Sequence, residues 1–222
     1  KLYLYSIGDP HLRFDKIEFN YGNNAISPSS TNIEIDNIKI IFAGNHGIGS
    51  GTTANLKVTN CEIGFIGGSI LNYESNPPTR FGNAVEVYGS VQDVNENNVT
   101  YGFVVDNNYI YMVYDTGITF QYSTSSSTRV EKVNFINNIV EYCNWNIEYW
   151  NDYTGNIEAL INNSYIGEFN IKNNILRYAG YGISQIRPDK DHSSHIKTWN
   201  PKRFWYNRLL GKNFVIKNNT FD

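Results

Sequence analysis

Apolar positions recur along this chain in a six-residue unit: apolar, any residue, Asn, two of any residue, apolar. The unit reads Ile35-Asp36-Asn37-Ile38-Lys39-Ile40, Val58-Thr59-Asn60-Cys61-Glu62-Ile63 and Val105-Asp106-Asn107-Asn108-Tyr109-Ile110. It returns as Phe135-Ile136-Asn137-Asn138-Ile139-Val140, Ile171-Lys172-Asn173-Asn174-Ile175-Leu176 and Ile216-Lys217-Asn218-Asn219-Thr220-Phe221. The Asn positions lie 23, 47, 30, 36 and 45 residues apart, which is one short repeat lengthened by insertions of varying size. Asn tolerates left-handed backbone and offers an amide to neighbouring backbone groups, so each unit reads as two short strands bent at Asn. Stacked amides from successive repeats would form a ladder that satisfies buried polar groups.

Roughly ten residues after most of these bends comes a segment of alternating character: Ala84–Tyr88, Gly117–Gln121, Asn146–Trp150 and Gly182–Ile186, with a weaker copy at Gly47–Ser50. In this alignment Val85, Ile118, Ile147 and Ile183 point inward, while Glu86, Thr119, Glu148 and Ser184 form one outward column. Tyr88, Gln121, Trp150 and Ile186 form the next. The insertions 70–82, 123–128, 151–165 and 187–211 border this same face and would wall a groove.

Composition narrows the picture. The chain has 33 Asn and 26 Ile against 6 Ala and 1 Met, a balance that starves helices and feeds strands and turns. Its 222 residues suffice for a core, and a net charge of -3 gives no general field for a nucleic-acid backbone. No apolar run is long enough for a membrane span. Cys61 and Cys143 sit in apolar-periodic contexts and read as two buried thiols. The first residue is Lys1, so the expectation is a single domain over 1–222 cut from a longer protein, with 1–30 as a cap or a preceding repeat and further domains in the same chain.

Strands of this length, bent at Asn on such a period, resemble the right-handed parallel β-helix of the pectate-lyase-like superfamily, over about residues 31 to 222. The expected fold is therefore all-β, a solenoid of about six coils with loop insertions on one edge, each coil adding a strand to parallel sheets about 4.8 Å apart. Proteins of this kind are mostly carbohydrate-active, which implies a polysaccharide or oligosaccharide partner and an extracellular or cell-surface location.

The candidate chemistry lies on the outward columns. Glu86 and Glu148, two coils apart, stand roughly 9.6 Å from each other along the stack, nearer the spacing of an inverting glycosidase's carboxylates than of a retaining one's. Asp115, at the mouth of the intervening coil, could replace either. Tyr88 and Trp150 would supply platforms for sugar rings, Gln121 and Thr119 would bond hydroxyls, and His46 aligns one coil before Asn83 at the groove's edge. Arg80 either holds a substrate carboxylate and tunes a neighbouring Glu or pins its own loop. These residues point to a glycoside hydrolase that needs no metal or cofactor. Two alternatives stay open. One is a polysaccharide lyase using calcium with Asp115, Asp152, Arg80, Arg187 or Lys190, and the other is a non-catalytic glycan-binding or structural solenoid. His192 and His195 read as solvated loop residues rather than metal ligands.

Overall fold

Strands of three to five residues cannot stand alone, and this chain stabilises them by stacking each on its counterpart in the next repeat. The computed structural model describes residues 7–13, 15, 22–51, 55–89, 99–124, 129–153, 165–185, 187–189, 192–199 and 210–222. Among them there is no α-helix, only two short 3-10 turns at Pro10–Leu12 and Gly182–Ser184, and the molecule is built from mainly parallel sheets. One sheet runs through Ile33–Asp36, Leu56–Thr59, Val104–Asp106, Val133–Ile136, Tyr165–Lys172 and Leu210–Lys217, in that order. Its inward register is Ile35, Val58, Val105, Phe135, Ile171, with Ile216 at the far edge.

The second sheet stacks Lys39–Ile41, Glu62–Ile66, Tyr109–Thr124, Ile139–Tyr153, Ile175–Arg177 and Thr220–Phe221. The two long strands bend and continue, and their later halves pair with Val85–Gly89, which in turn pairs with Ile48–Ser50, and with Ser194–Trp199. Residues of the first thirty join this stack, since Ile26 bridges Ile48 in parallel. Leu2–Tyr5 and Ile17–Phe19 lie outside the described residues. The insertion after Gly68 is an antiparallel hairpin, Ser69–Asn72 with Thr79–Phe81.

Every Asn of the six-residue unit adopts the left-handed conformation, with φ of 54° to 58° at Asn37, Asn60, Asn107, Asn137, Asn173 and Asn218. These six are solvent-facing, so they are not the buried ladder. In the four middle repeats burial falls to the residue that follows: Asn108, Asn138 and Asn174 are 1–2% exposed and Cys61 is 3%. Asn108 Nδ2 donates to Asn138 Oδ1 at 2.9 Å, Asn138 to Asn174 at 3.0 Å and Asn174 to Asn219 at 2.9 Å, while each also donates to a backbone carbonyl of a neighbouring strand. Cys61 occupies the equivalent place one repeat earlier and donates its N–H to Asn108 Oδ1 at 2.9 Å.

A second bend, unmarked by Gly or Asn, lies between the two halves of the second sheet. Phe42, Phe65, Met112, Tyr142 and Tyr178 turn it with φ of 50° to 65°, an uncommon conformation for bulky residues. Pairwise stacking offsets the strain, with ring centroids 5.2 Å apart for Phe42 and Phe65 and 4.8 Å for Tyr142 and Tyr178. Inside, a chain of rings fills the widest part of the core: Phe103 against Phe135, Phe135 against Phe169, and Phe169 stacked on Phe214 at 4.7 Å. Cys61 and Cys143 are free, buried thiols.

One expected register is overturned. Gly182–Ser184 is a 3-10 turn rather than a strand, Ile183 is exposed and Ser184 is buried outside the column. Ser194–Trp199 pairs in its stead, which puts Ile196 beside Ile147, Lys197 beside Glu148 and Trp199 beside Trp150. Left-handed Gly180 and Gly182 turn the chain away after Tyr178, so the strand forms only when it returns. Ile186 lies outside the described residues.

Candidate functional site

The outward face of the second sheet's later half carries two neighbouring columns. The parallel register sets His46, Asn83, Thr116, Trp145 and Ser194 at one level, and Gly49, Glu86, Thr119, Glu148 and Lys197 three residues on. Glu86 and Glu148 are therefore two strands apart, as the alternation predicts, with Thr119 between them.

Glu86 is held by neutral partners alone. The Asn83 side-chain amide donates to Oε2, and His46 Nε2 lies 3.3 Å from Oε1. His46 Nδ1 accepts the Asn83 backbone N–H at 3.0 Å, which assigns the imidazole proton to Nε2 and directs it at Glu86. Burial lowers the His46 pKa to about 4, so the ring stays uncharged at neutral pH. Burial, assisted by the nearby Asp115 and Glu148 carboxylates and opposed by the Asn83 bond, pushes Glu86 up to about 7.

Glu148 has the opposite surroundings. Lys197 Nζ lies 2.5 Å from Oε1, while Thr119 Oγ1 and Gln121 Nε2 donate to Oε2 at 3.0 and 2.9 Å. The ammonium also sits 3.4 Å over the Trp145 ring. Asp115 pairs with Arg187, whose Nη1 approaches Oδ1 at 2.9 Å. All five N–H groups of Arg187 are engaged. They bond Asp115, the Tyr114 and Arg80 carbonyls, and both oxygens of Asp189. The Arg187 side chain is 1% exposed and stacks on Tyr114 at 4.5 Å.

Of the two readings for Arg80, the loop pin is what the structure contains. Its Nη1 donates to the Gly68 carbonyl at 2.6 Å and its backbone N–H to Asp189. Tyr88 is exposed beside Gln121, while the Trp150 backbone continues that register and its side chain lies outside the described residues. Lys190, the Asp152 side chain and most of the 123–128 and 151–165 insertions also lie outside them. His195 departs from the expected solvated loop, lying in Ser194–Trp199 with Nδ1 3.1 Å from the Asn146 amide, whereas His192 is exposed outside the strands with its ring edge-on to Trp145. No group of three metal-ligating side chains occurs among the described residues.

Sequence reasoning missed two participants and the part played by a third. Lys197 was hidden by the displaced register, Asn83 stands out in sequence only as the position His46 aligns with, and Arg187, a candidate for lyase chemistry, instead bonds Asp189 two residues on and Asp115 and two carbonyls over 70 residues away. Thr116 Oγ1, Asn144 Nδ2 and Asn146 Oδ1 are buried without a hydrogen-bond partner among the described residues, and all three lie where the strands enter this face. The arrangement can hold one proton on Glu86 near neutral pH while two neighbouring carboxylates stay matched by cations. Comparison with protein-family models, with curated proteins and with solved structures found no match to this chain.

Proposed function

We propose that the chain is a glycoside hydrolase acting on a polysaccharide outside the cell, on a right-handed parallel β-helix scaffold. The handedness is supported by the near-universal right-handed crossover between parallel strands of one sheet. The observation that carries the activity is Glu86, a carboxyl lodged between neutral donors whose affinity for its proton is raised to about 7, beside carboxylates paired with Lys197 and Arg187. Such a division of environments is how one site keeps an acid and a base at the same pH.

In this reading Glu86 gives its proton to the glycosidic oxygen as the C–O bond to the leaving sugar breaks. Asp115 takes a proton from the attacking water, whose oxygen bonds the anomeric carbon. Asp115 suits the base role better than Glu148, because Glu148 already accepts from an ammonium, a hydroxyl and an amide and its side chain is only 4% exposed. Glu148 then positions Gln121 for sugar hydroxyls, while Thr119, fully buried, supports Glu148 from within rather than meeting the sugar as the sequence suggested. A lyase draws less support, because all five N–H groups of Arg187 are spent within the fold and Arg80 is tied to the hairpin through Nη1.

The test is reducing-end release from a polysaccharide panel by the parent chain and by Glu86→Gln, Asp115→Asn and Glu148→Gln. General acid–base catalysis contributes typically ~10²–10⁴-fold, so the first two variants should lose activity on that scale. The alkaline limb of the parent's profile should fall above pH about 7, where Glu86 gives up its proton. Full activity in Glu86→Gln would sink the reading.

A further inference from the structure

Resting on the hydrolase reading, we infer that the site takes a neutral glycan and discriminates against chains that carry uronate carboxylates. The charged groups around Glu86 are Asp115, Glu148 and Asp189 on the acidic side and Arg80, Arg187 and Lys197 on the basic side. Recognition of a substrate carboxylate calls for charge-assisted donors, ideally a guanidinium fork. Arg187 has no N–H left to give, with its five donors on Asp115, Asp189 and two backbone carbonyls. Lys197 is held between Glu148 at 2.5 Å and the Trp145 face at 3.4 Å. Arg80 holds the hairpin through the Gly68 carbonyl.

The remaining ring, His46, cannot take a second proton without surrendering the Asn83 N–H on Nδ1. A uronate entering here would therefore bring a further negative charge to four carboxyl groups and find Arg187 and Lys197 already matched by Asp115, Asp189 and Glu148, with Arg80 tied to the hairpin through Nη1. That is a desolvation and repulsion cost for which neither Arg187 nor Lys197 offers a compensating pair. A neutral sugar meets no such cost. Its hydroxyls find an acceptor in Asp115 and an amide in Gln121, and Tyr88, 48% exposed, offers a ring beside them. Anionic substrates fail by charge and neutral ones succeed by hydroxyl bonding and ring contact.

The experiment uses the whole chain with a set of neutral polysaccharides and with polyuronates before and after chemical reduction of their carboxyls, so that one polymer backbone is compared with and without charge. Reducing ends report cleavage, and retardation in polymer-containing native gels reports binding. The expected result is cleavage and retardation by neutral or carboxyl-reduced polymers at least about tenfold stronger than by any polyuronate, a preference of about 1.4 kcal/mol. Binding should change little between about 0.01 and 1 M salt, because no charge pair crosses the interface. A polyuronate bound or cleaved as well as its reduced form overturns the inference, as does the absence of both binding and cleavage across all polymers. Retardation by neutral polymers without new reducing ends keeps the neutral-glycan inference and removes the hydrolase reading on which it was built.

Discussion

The buried Asn ladder and the Glu86 column are built on the same parallel register and use it in opposite ways. In the ladder the same residue repeats, so Asn108, Asn138 and Asn174 each donate to the next amide oxygen, and the run ends at Asn219. In the column the residue changes at every step, from Glu86 to Thr119 to Glu148 to Lys197. Repetition satisfies each polar group by its copy, whereas variation leaves a carboxyl such as Glu86 with partners that do not neutralise it. A stack of like residues reads as stability, and a stack of unlike buried polar residues reads as chemistry.

The largest test of that contrast is Asn138→Ala. It removes the acceptor of the Asn108 backbone N–H and the donor to the Val105 carbonyl, both in the interior. Each buried group left unmade costs about 1–3 kcal/mol, so a total of about 4 kcal/mol is expected in denaturant unfolding. A loss below about 1 kcal/mol would mean the ladder is ornamental.

Next in size is a pH effect confined to the column. Glu86 binds its proton more tightly when folded, with a pKa of about 7 against 4.5 for the free group. Below pH 4.5 both states are protonated and the group is neutral to stability. Between 4.5 and 7 the unfolded chain ionises first and stability is lost as pH rises. Above 7 the loss is complete, at about 3 kcal/mol. In Glu86→Gln this slope should vanish because the amide does not titrate, whatever the variant's absolute stability with its poorer fit to the Asn83 and His46 donors. A slope unchanged in Glu86→Gln would assign the pH dependence to another group.

Much of this was legible in the sequence because stacking makes position follow register. The apolar-Asn unit announced both strands and their bend, and all six Asn are left-handed as the unit requires. The alignment of Val85, Ile118 and Ile147 then carried Glu86 and Glu148 to their column. What was not legible depends on contacts that no period encodes. The second bend is turned by Phe42, Phe65 and Tyr142, residues with no turn signature, held there by stacking on one another. Gly182–Ser184 imitated the Gly-Ile start of a column strand, and only the return at Ser194 shows that Lys197 takes that place. Arg187 reads from sequence as a cation open to a substrate until Asp115, Asp189 and the Arg80 carbonyl surround it.

Thr119→Val sharpens the contrast from the column side. The loss takes one donor from Glu148, which keeps Lys197 and Gln121, so the expected cost is about 1 kcal/mol. A cost matching that of Asn138→Ala would mean that the column, too, is held by its stack.

The smallest effect comes from extending the ladder by one rung. Cys61 already donates its N–H to Asn108 Oδ1, and its Sγ points to the Ile35 carbonyl at 3.7 Å, the same relation that Asn108 Nδ2 has to the Val58 carbonyl at 3.0 Å. In Cys61→Asn the new amide would reach Ile35 O and Asn108 Oδ1 as its successors do, while its own Oδ1 would face the Ile38 N–H one repeat earlier. A net hydrogen bond contributes about 1 kcal/mol, and the thiol's burial is given up in exchange. A gain of up to about 1 kcal/mol is therefore expected, read as a rise of roughly 2–4 °C in Tm. A fall in Tm would show that the ladder has a fixed head at Asn108, with the thiol packed for its shape rather than standing in for an amide.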